Sequence, residues 1–111
     1  MGTETVWVYI TAGSREEAMK LARALVGERL AACANVLGDV TSVYWWEGKM
    51  QEDGEVAFVA KTRSDRLTAL VERVKALHSY ACPCVVALPI VAGNPEFLSW
   101  IGEETGAAAC R

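Results

Sequence analysis

The chain has 111 residues, 52% of them hydrophobic and 23% charged, and a formal net charge of −3. That size suits a single domain over residues 1–111 with a core of its own, and the balance excludes a disordered chain. Lys and Arg form no cluster, which argues against nucleic acid, and no apolar run approaches the roughly 20 residues of a membrane helix. The four cysteines, Cys33, Cys82, Cys84 and Cys110, follow no disulfide-scaffold spacing. With no signal-peptide pattern at the N-terminus, the expected location is a reducing cytoplasm.

Val6-Trp7-Val8-Tyr9-Ile10 predicts a first strand, apolar on both faces and therefore central in a covered sheet. Ser14-Arg15-Glu16-Glu17 predicts a capping box, the serine capping a helix and Glu17 reaching back. That helix buries Ala18, Leu21, Ala22, Leu25 and Val26 and ends near Arg29. Cys33 to Trp46 reads as a long strand, bent or bulged at Gly38-Asp39, and Glu47-Gly48 turns it into a return strand reaching Thr62. Asp53-Gly54 suggests a second irregularity on the way back.

Ser64 caps a second predicted helix with the apolar stripe Leu67, Leu70, Val71, Val74 and Leu77. Val85-Val86-Ala87-Leu88 follows as another doubly apolar strand, and Pro89 sends it out of the ladder or to an edge. Asn94-Pro95-Glu96 starts a third helix with Phe97, Leu98 and Ile101 inside, and the tail from Gly106 to Arg111 is expected to fray. The order β-α-β-β-α-β plus a helix is that of an α+β, ferredoxin-like sandwich with a long central hairpin and an extra C-terminal helix.

Within the hairpin, Tyr44-Trp45-Trp46-Glu47-Gly48-Lys49 places large rings on both strand faces. A chain this short has few layers with which to cover both. A partner subunit is the simpler cover, so the hairpin reads as an assembly element.

Ala31-Ala32-Cys33-Ala34-Asn35-Val36 and Val40-Thr41-Ser42-Val43-Tyr44-Trp45-Trp46-Glu47-Gly48-Lys49 resemble the CutA divalent-cation tolerance family. So do Lys61-Thr62, Leu77-His78-Ser79-Tyr80, Ala87-Leu88-Pro89-Ile90 and Gly93-Asn94-Pro95, and the likeness runs from about Val6 to Glu104. The resemblance implies a tight, PII-like homotrimer whose hairpins join sheets between subunits. It also implies a role in tolerance of copper and other divalent cations, with no firmly attached enzymatic activity. One segment departs from the pattern. Where the family usually has His-Pro-Tyr-x-x-Pro-Glu, this chain reads His78-Ser79-Tyr80-Ala81-Cys82-Pro83-Cys84, with serine for the proline and cysteine for the glutamate.

The candidate metal ligands are His78, Cys82, Cys84 and Cys33. Cys82 and Cys84 enter a strand on the same side, about 6.5–7 Å apart at the α-carbons, which is awkward for a disulfide and suits a soft ion such as Cu(I) or Zn(II). Equally, they are small apolar residues packed at a strand start. His78 is either a ligand, as the family's use of this position suggests, or a cap on the last carbonyls of its helix. Cys33 is a buried structural thiol or, by resemblance, faces an intersubunit cleft. That cleft would also involve Trp46, Glu47, Lys61 and Tyr80, with Lys61 meeting Glu47 or an anion across it. Glu47, Glu52, Asp53 and Glu55 read mainly as a solvated turn that discourages edge pairing; Cys110 carries no assignment.

Three functional classes follow. The first is a non-enzymatic trimer that binds metal ions for buffering or signalling. Its variant is a PII-like sensor of a small anionic ligand between subunits. The second is an acylphosphatase-like hydrolase using the loop Thr11-Ala12-Gly13-Ser14-Arg15 at a helix N-terminus, although no nucleophile–base pair is visible. An RNA-recognition sheet is disfavoured, because the return strand Glu55-Val56-Ala57-Phe58-Val59-Ala60 lacks the aromatic signature.

Overall fold

The computed structural model describes residues 4–106. Its elements are β1 (Thr5–Ala12), α1 (Arg15–Gly27), β2 (Cys33–Trp46), β3 (Lys49–Arg63), a 3₁₀ turn (Ser64–Arg66), α2 (Leu67–Leu77), β4 (Val85–Pro89) and α3 (Pro95–Thr105). The strands form one antiparallel sheet in the order β2-β3-β1-β4. That is the expected ferredoxin-like α+β arrangement, with β1 central and the strand carrying Pro89 at an edge.

Alternation along the strands sorts the side chains. Val6, Val8 and Ile10 of β1 join Phe58 and Ala60 of β3 on one face, packed against Leu21 and Leu25 of α1 and Leu70 and Val74 of α2. The opposite face receives Trp7, Tyr9 and Lys61, and α3 lies against β3 and β1 there, with the Phe97 ring beside Lys61. Ile101 of α3 is fully buried, whereas Phe97 and Trp100 remain partly open. β4 is packed through Val85 and Ala87, while Val86 and Leu88 stand exposed on the other face.

Helix α1 ends by a left-handed residue. Arg29 adopts φ 61°, its N–H reaches the Val26 carbonyl at 3.1 Å, and the Leu30 N–H reaches the Leu25 carbonyl at 2.9 Å. This is a Schellman closure with arginine where glycine is usual. The Arg29 guanidinium then bonds Glu104 of α3 at 2.6 Å, joining the two helix ends.

The hairpin is the longest feature, with 14 residues in β2 and 15 in β3 against eight in β1 and five in β4. The expected bulge is present. Val36 pairs with Phe58 and Gly38 with Ala57, so Leu37 is the extra residue and points outward, 61% exposed. Gly38 accommodates the bulge at φ 125°, where a side chain would be strained. Glu47 and Gly48 both take positive φ, as a two-residue type I′ turn requires.

Several expectations are corrected. Gly54 pairs in continuous register with Thr41, so the ladder carries no second irregularity there. Ser64 opens the 3₁₀ turn and does not cap α2, whose N-cap is Arg66 without a side-chain bond; the Ser64 N–H goes to the Glu4 carbonyl. Val26 is exposed, because α1 turns that position past the edge of the core. Gly106 is buried at the end of α3 and does not fray. Residues 107–111, including Cys110, lie outside the described residues.

Gly38→Val should cost about 1–3 kcal/mol in denaturant unfolding through strain at positive φ. Gly54→Ala, which meets no heavy atom within 4 Å, should stay within roughly 0.5 kcal/mol of the parent.

Candidate functional site

The segment after α2 is held by one carboxylate. The Ser14 hydroxyl accepts from the Glu17 N–H at 3.1 Å, so the serine half of the capping box is present. Glu17 itself does not return to Ser14. Its carboxylate accepts from the Gly13 N–H at 3.0 Å, the Ser79 N–H at 2.8 Å and the Ser79 hydroxyl at 3.1 Å. Proline at position 79 could make neither Ser79 bond. Burial pushes the Glu17 carboxyl upward, but these donors outweigh it and hold its pKa below the ordinary range.

His78 has a fully buried side chain. Its Nδ1 accepts from the Tyr80 N–H at 3.1 Å, so the proton sits on Nε2, which donates to the Thr11 carbonyl at 2.7 Å. Both nitrogens are in use, and neither is presented to an ion. The loop read as an anion cradle is occupied in the same way, because the Gly13 N–H already binds Glu17.

Beyond Ser79 the chain borders a cleft of about 720 Å³ on the sheet face away from α1 and α2. Tyr9 and Thr11 of β1, Ser42, Tyr44 and Trp46 of β2, and Asp53 and Glu55 of β3 line it, closed by Tyr80, Cys82 and Cys84. Tyr44 donates its hydroxyl to Asp53 at 2.5 Å, and Glu55 accepts from Ser42 at 2.5 Å and from Tyr80 at 2.9 Å. Burial, then the bond and charge of Glu55, push the Tyr80 phenol up to about 12. The bond to Asp53 raises Tyr44 as well. Partial burial of the sulfur and the Glu55 charge push the Cys84 thiol up, offset in part by a hydrogen bond with Thr11. Gly13 backs the Tyr80 ring closely: a Cβ there would lie 3.3 Å from the phenol oxygen.

The cleft therefore gathers Cys82, Cys84, Trp46 and Tyr80 from the sequence candidates. His78 lies beneath it, turned inward. Cys33 sits at the other end of the hairpin, paired with Lys61, and Glu47 occupies the exposed turn. Lys61 donates to the Asn35 side-chain carbonyl at 2.6 Å. Among the described residues, no three His, Cys, Asp or Glu side chains are grouped to hold a metal ion. Asp53 and Glu55 are strand residues bonded to phenols, where a solvated turn was expected. Period-two counting through Ser42, Tyr44, Trp46 and Gln51, Asp53, Glu55 was the signal that puts them on one face. Glu17 and Ser79 were missed, being 62 residues apart with no local pattern to join them.

Residues 6–104 match the family model described as CutA1 divalent ion tolerance protein. The chain belongs to that family. It is 50% identical over 99 residues to the divalent-cation tolerance protein CutA of Thermus thermophilus, covering 89% of this chain and 96% of that one. It is 46% identical over 101 residues to the chloroplastic protein CutA 1 of Oryza sativa, covering 91% of this chain but 57% of the rice protein's length. The solved structure of the periplasmic divalent cation tolerance protein CutA from Archaeoglobus fulgidus superposes with a TM-score of 0.88 at 44% identity, over 92% of this chain and 99% of that one.

Because its folded pKa is depressed, Glu17 contributes stability that is fully present above its unfolded pKa and lost as pH falls through the folded value. Glu17→Ala should cost about 1–3 kcal/mol at pH 7. The gap between parent and variant should close on acidification below the ordinary carboxylate range; an equal gap at every pH would assign the loss to packing.

Proposed function

We propose that this CutA1-family chain is a non-enzymatic protein of divalent-cation tolerance, binding copper or another soft or divalent ion for buffering or signalling. The observation that carries the reading is the pair of free thiols, Cys82 and Cys84, lining one cleft beside the carboxylates of Asp53 and Glu55. Two thiolates suit Cu(I). A four-coordinate Zn(II) would need ligands that one chain's described residues do not group. His78 holds the loop in place in this reading and is not a ligand. The sensor of a small anion gains no support from the cleft, whose charged lining residues are both acids.

The working form is inferred to be a homotrimer, in a reducing compartment such as the cytoplasm. The support is the bare hairpin: Trp45 is 74% exposed and Met50 68%, paired across the ladder on one face, with Val43 open beside them. Rings and aliphatic chains of that area are covered by a second chain more readily than by water.

Anaerobic calorimetric titration with Cu(I) tests the metal reading. Binding should be tighter than about micromolar, should be lost in the Cys82→Ser/Cys84→Ser variant, and should persist in variants of Cys33. Because Cys84 must shed its proton, affinity should rise with pH through neutrality and above. Binding weaker than micromolar, or unchanged by the double substitution, would remove the cleft thiols from the function. Trp45→Ser/Met50→Ser should shift the trimer towards monomer in light scattering; an unchanged mass would place the interface elsewhere.

A further inference from the structure

We propose that His78 is a proton-operated latch on the segment from Tyr80 to Cys84. A proton taken from solvent onto Nδ1 exchanges the Tyr80 amide for the Glu17 carboxylate and releases that segment. The ground is that one nitrogen faces both partners. Nδ1 accepts from the Tyr80 N–H at 3.1 Å and lies 3.6 Å from a Glu17 carboxylate oxygen. The Nε2 proton stays on the Thr11 carbonyl at 2.7 Å in either state.

Only the neutral ring can accept at Nδ1. The charged ring donates from both nitrogens, so its new N–H would meet the N–H of Tyr80 head on. The Tyr80 peptide has to turn away. The Glu17 oxygen stands just outside hydrogen-bond distance and takes the new bond as a charge-assisted one.

The surroundings favour that exchange. From α1, Glu17 brings a negative charge: against the upward push of burial, its Gly13 and Ser79 donors keep it ionised below the ordinary carboxyl range. β1 offers the uncharged Thr11 carbonyl. From β3, Glu55 stands behind the Tyr80 hydroxyl at 2.9 Å. The Tyr80 ring lies 4.6 Å from the imidazole, and its phenol stays neutral, pushed up to about 12 by burial and then by Glu55. Burial and then Glu55 likewise push up the thiol of Cys84, which is bonded to Thr11. On α2, Lys75 is turned to Glu72 at 3.8 Å. The charge nearest the ring is negative.

Release has a defined starting point. Ser79 keeps its N–H and hydroxyl on Glu17, so the break falls between Ser79 and Tyr80. Every bond of the latch lies within one chain, where the His78 side chain is already fully buried, so it draws on no open face. Nor does it rest on the metal reading. Acidification from neutrality drives the exchange, and protonation of Glu17 at lower pH removes the acceptor.

The test is an NMR titration of the intact ¹⁵N-labelled protein from about pH 8 to about pH 5, the range in which imidazoles titrate. The His78 ring should pass in one step from the form protonated on Nε2 alone to the doubly protonated form. In that step the Tyr80 amide should lose about tenfold or more of its protection from hydrogen exchange, while the Ser79 amide stays protected. Glu17→Gln keeps an oxygen acceptor without the charge and should move the step to lower pH. His78→Asn offers a neutral oxygen acceptor near the Nδ1 position and should abolish it. A ring that stays neutral throughout, a Tyr80 amide still protected once the ring is charged, or a step unmoved by Glu17→Gln would overturn the proposal. Should either variant fail to fold, the native titration decides.

Discussion

The hairpin outruns the layer that covers it, and most of the molecule's surface character follows from that mismatch. Fourteen residues of β2 extend roughly 46 Å at the usual strand rise, close to the 45 Å long axis of the chain. Two helices of 13 and 11 residues reach about 20 and 17 Å. They cover Phe58 and Ala60 at the base and leave Val43, Trp45 and Met50 bare at the tip. On the opposite face the short β4 and α3 leave Tyr44 and Trp46 bordering a cleft. Burial thus runs down the hairpin from a dry core to two exposed ring-bearing faces.

Polar groups near that transition find partners. Each acid by the cleft and its supporting loop has named donors: Glu17 has Gly13 and Ser79, Asp53 has Tyr44, and Glu55 has Ser42 and Tyr80. This matching uses hydrogen bonds to a charged acceptor, which are stronger than those between neutral groups. It also fixes what the loop can offer outward. His78 spends both nitrogens holding Thr11 and Tyr80, so the side chains left facing the cleft are sulfurs, phenols and carboxylates.

Sequence reading reached the fold because its signals are periodic and local. The two-residue alternation of Val6, Val8 and Ile10, the three–four spacing of Leu21 and Leu25, the Glu47-Gly48 turn and the bulge at Gly38 each depend on neighbours within a few positions. The site was legible in part for the same reason: alternation puts Ser42, Tyr44 and Trp46 on one face. Glu17 and Ser79 meet only after α1 and α2 have docked, and Lys61 chose Asn35 across the ladder, which no spacing rule selects. His78 illustrates the sharper limit. A histidine beside cysteines suggests coordination by type, while its hydrogen bonds are set by the Thr11 carbonyl, 67 residues earlier.

The tight turn at Glu47-Gly48 carries a consequence for how this chain tolerates changes in length. With two residues at the apex, Trp46 pairs with Lys49 and Trp45 with Met50, and each ring's destination is a matter of parity. Inserting or deleting one residue in β2 between the base and Tyr44, with the base of the ladder held, would exchange the two populations. Trp45 would turn inward over the acids, and Tyr44 and Trp46 would face out. A change of length within that arm would rewrite both surfaces at once, whereas the turn itself can lengthen without turning a ring, so the arm should drift by substitution and not by length.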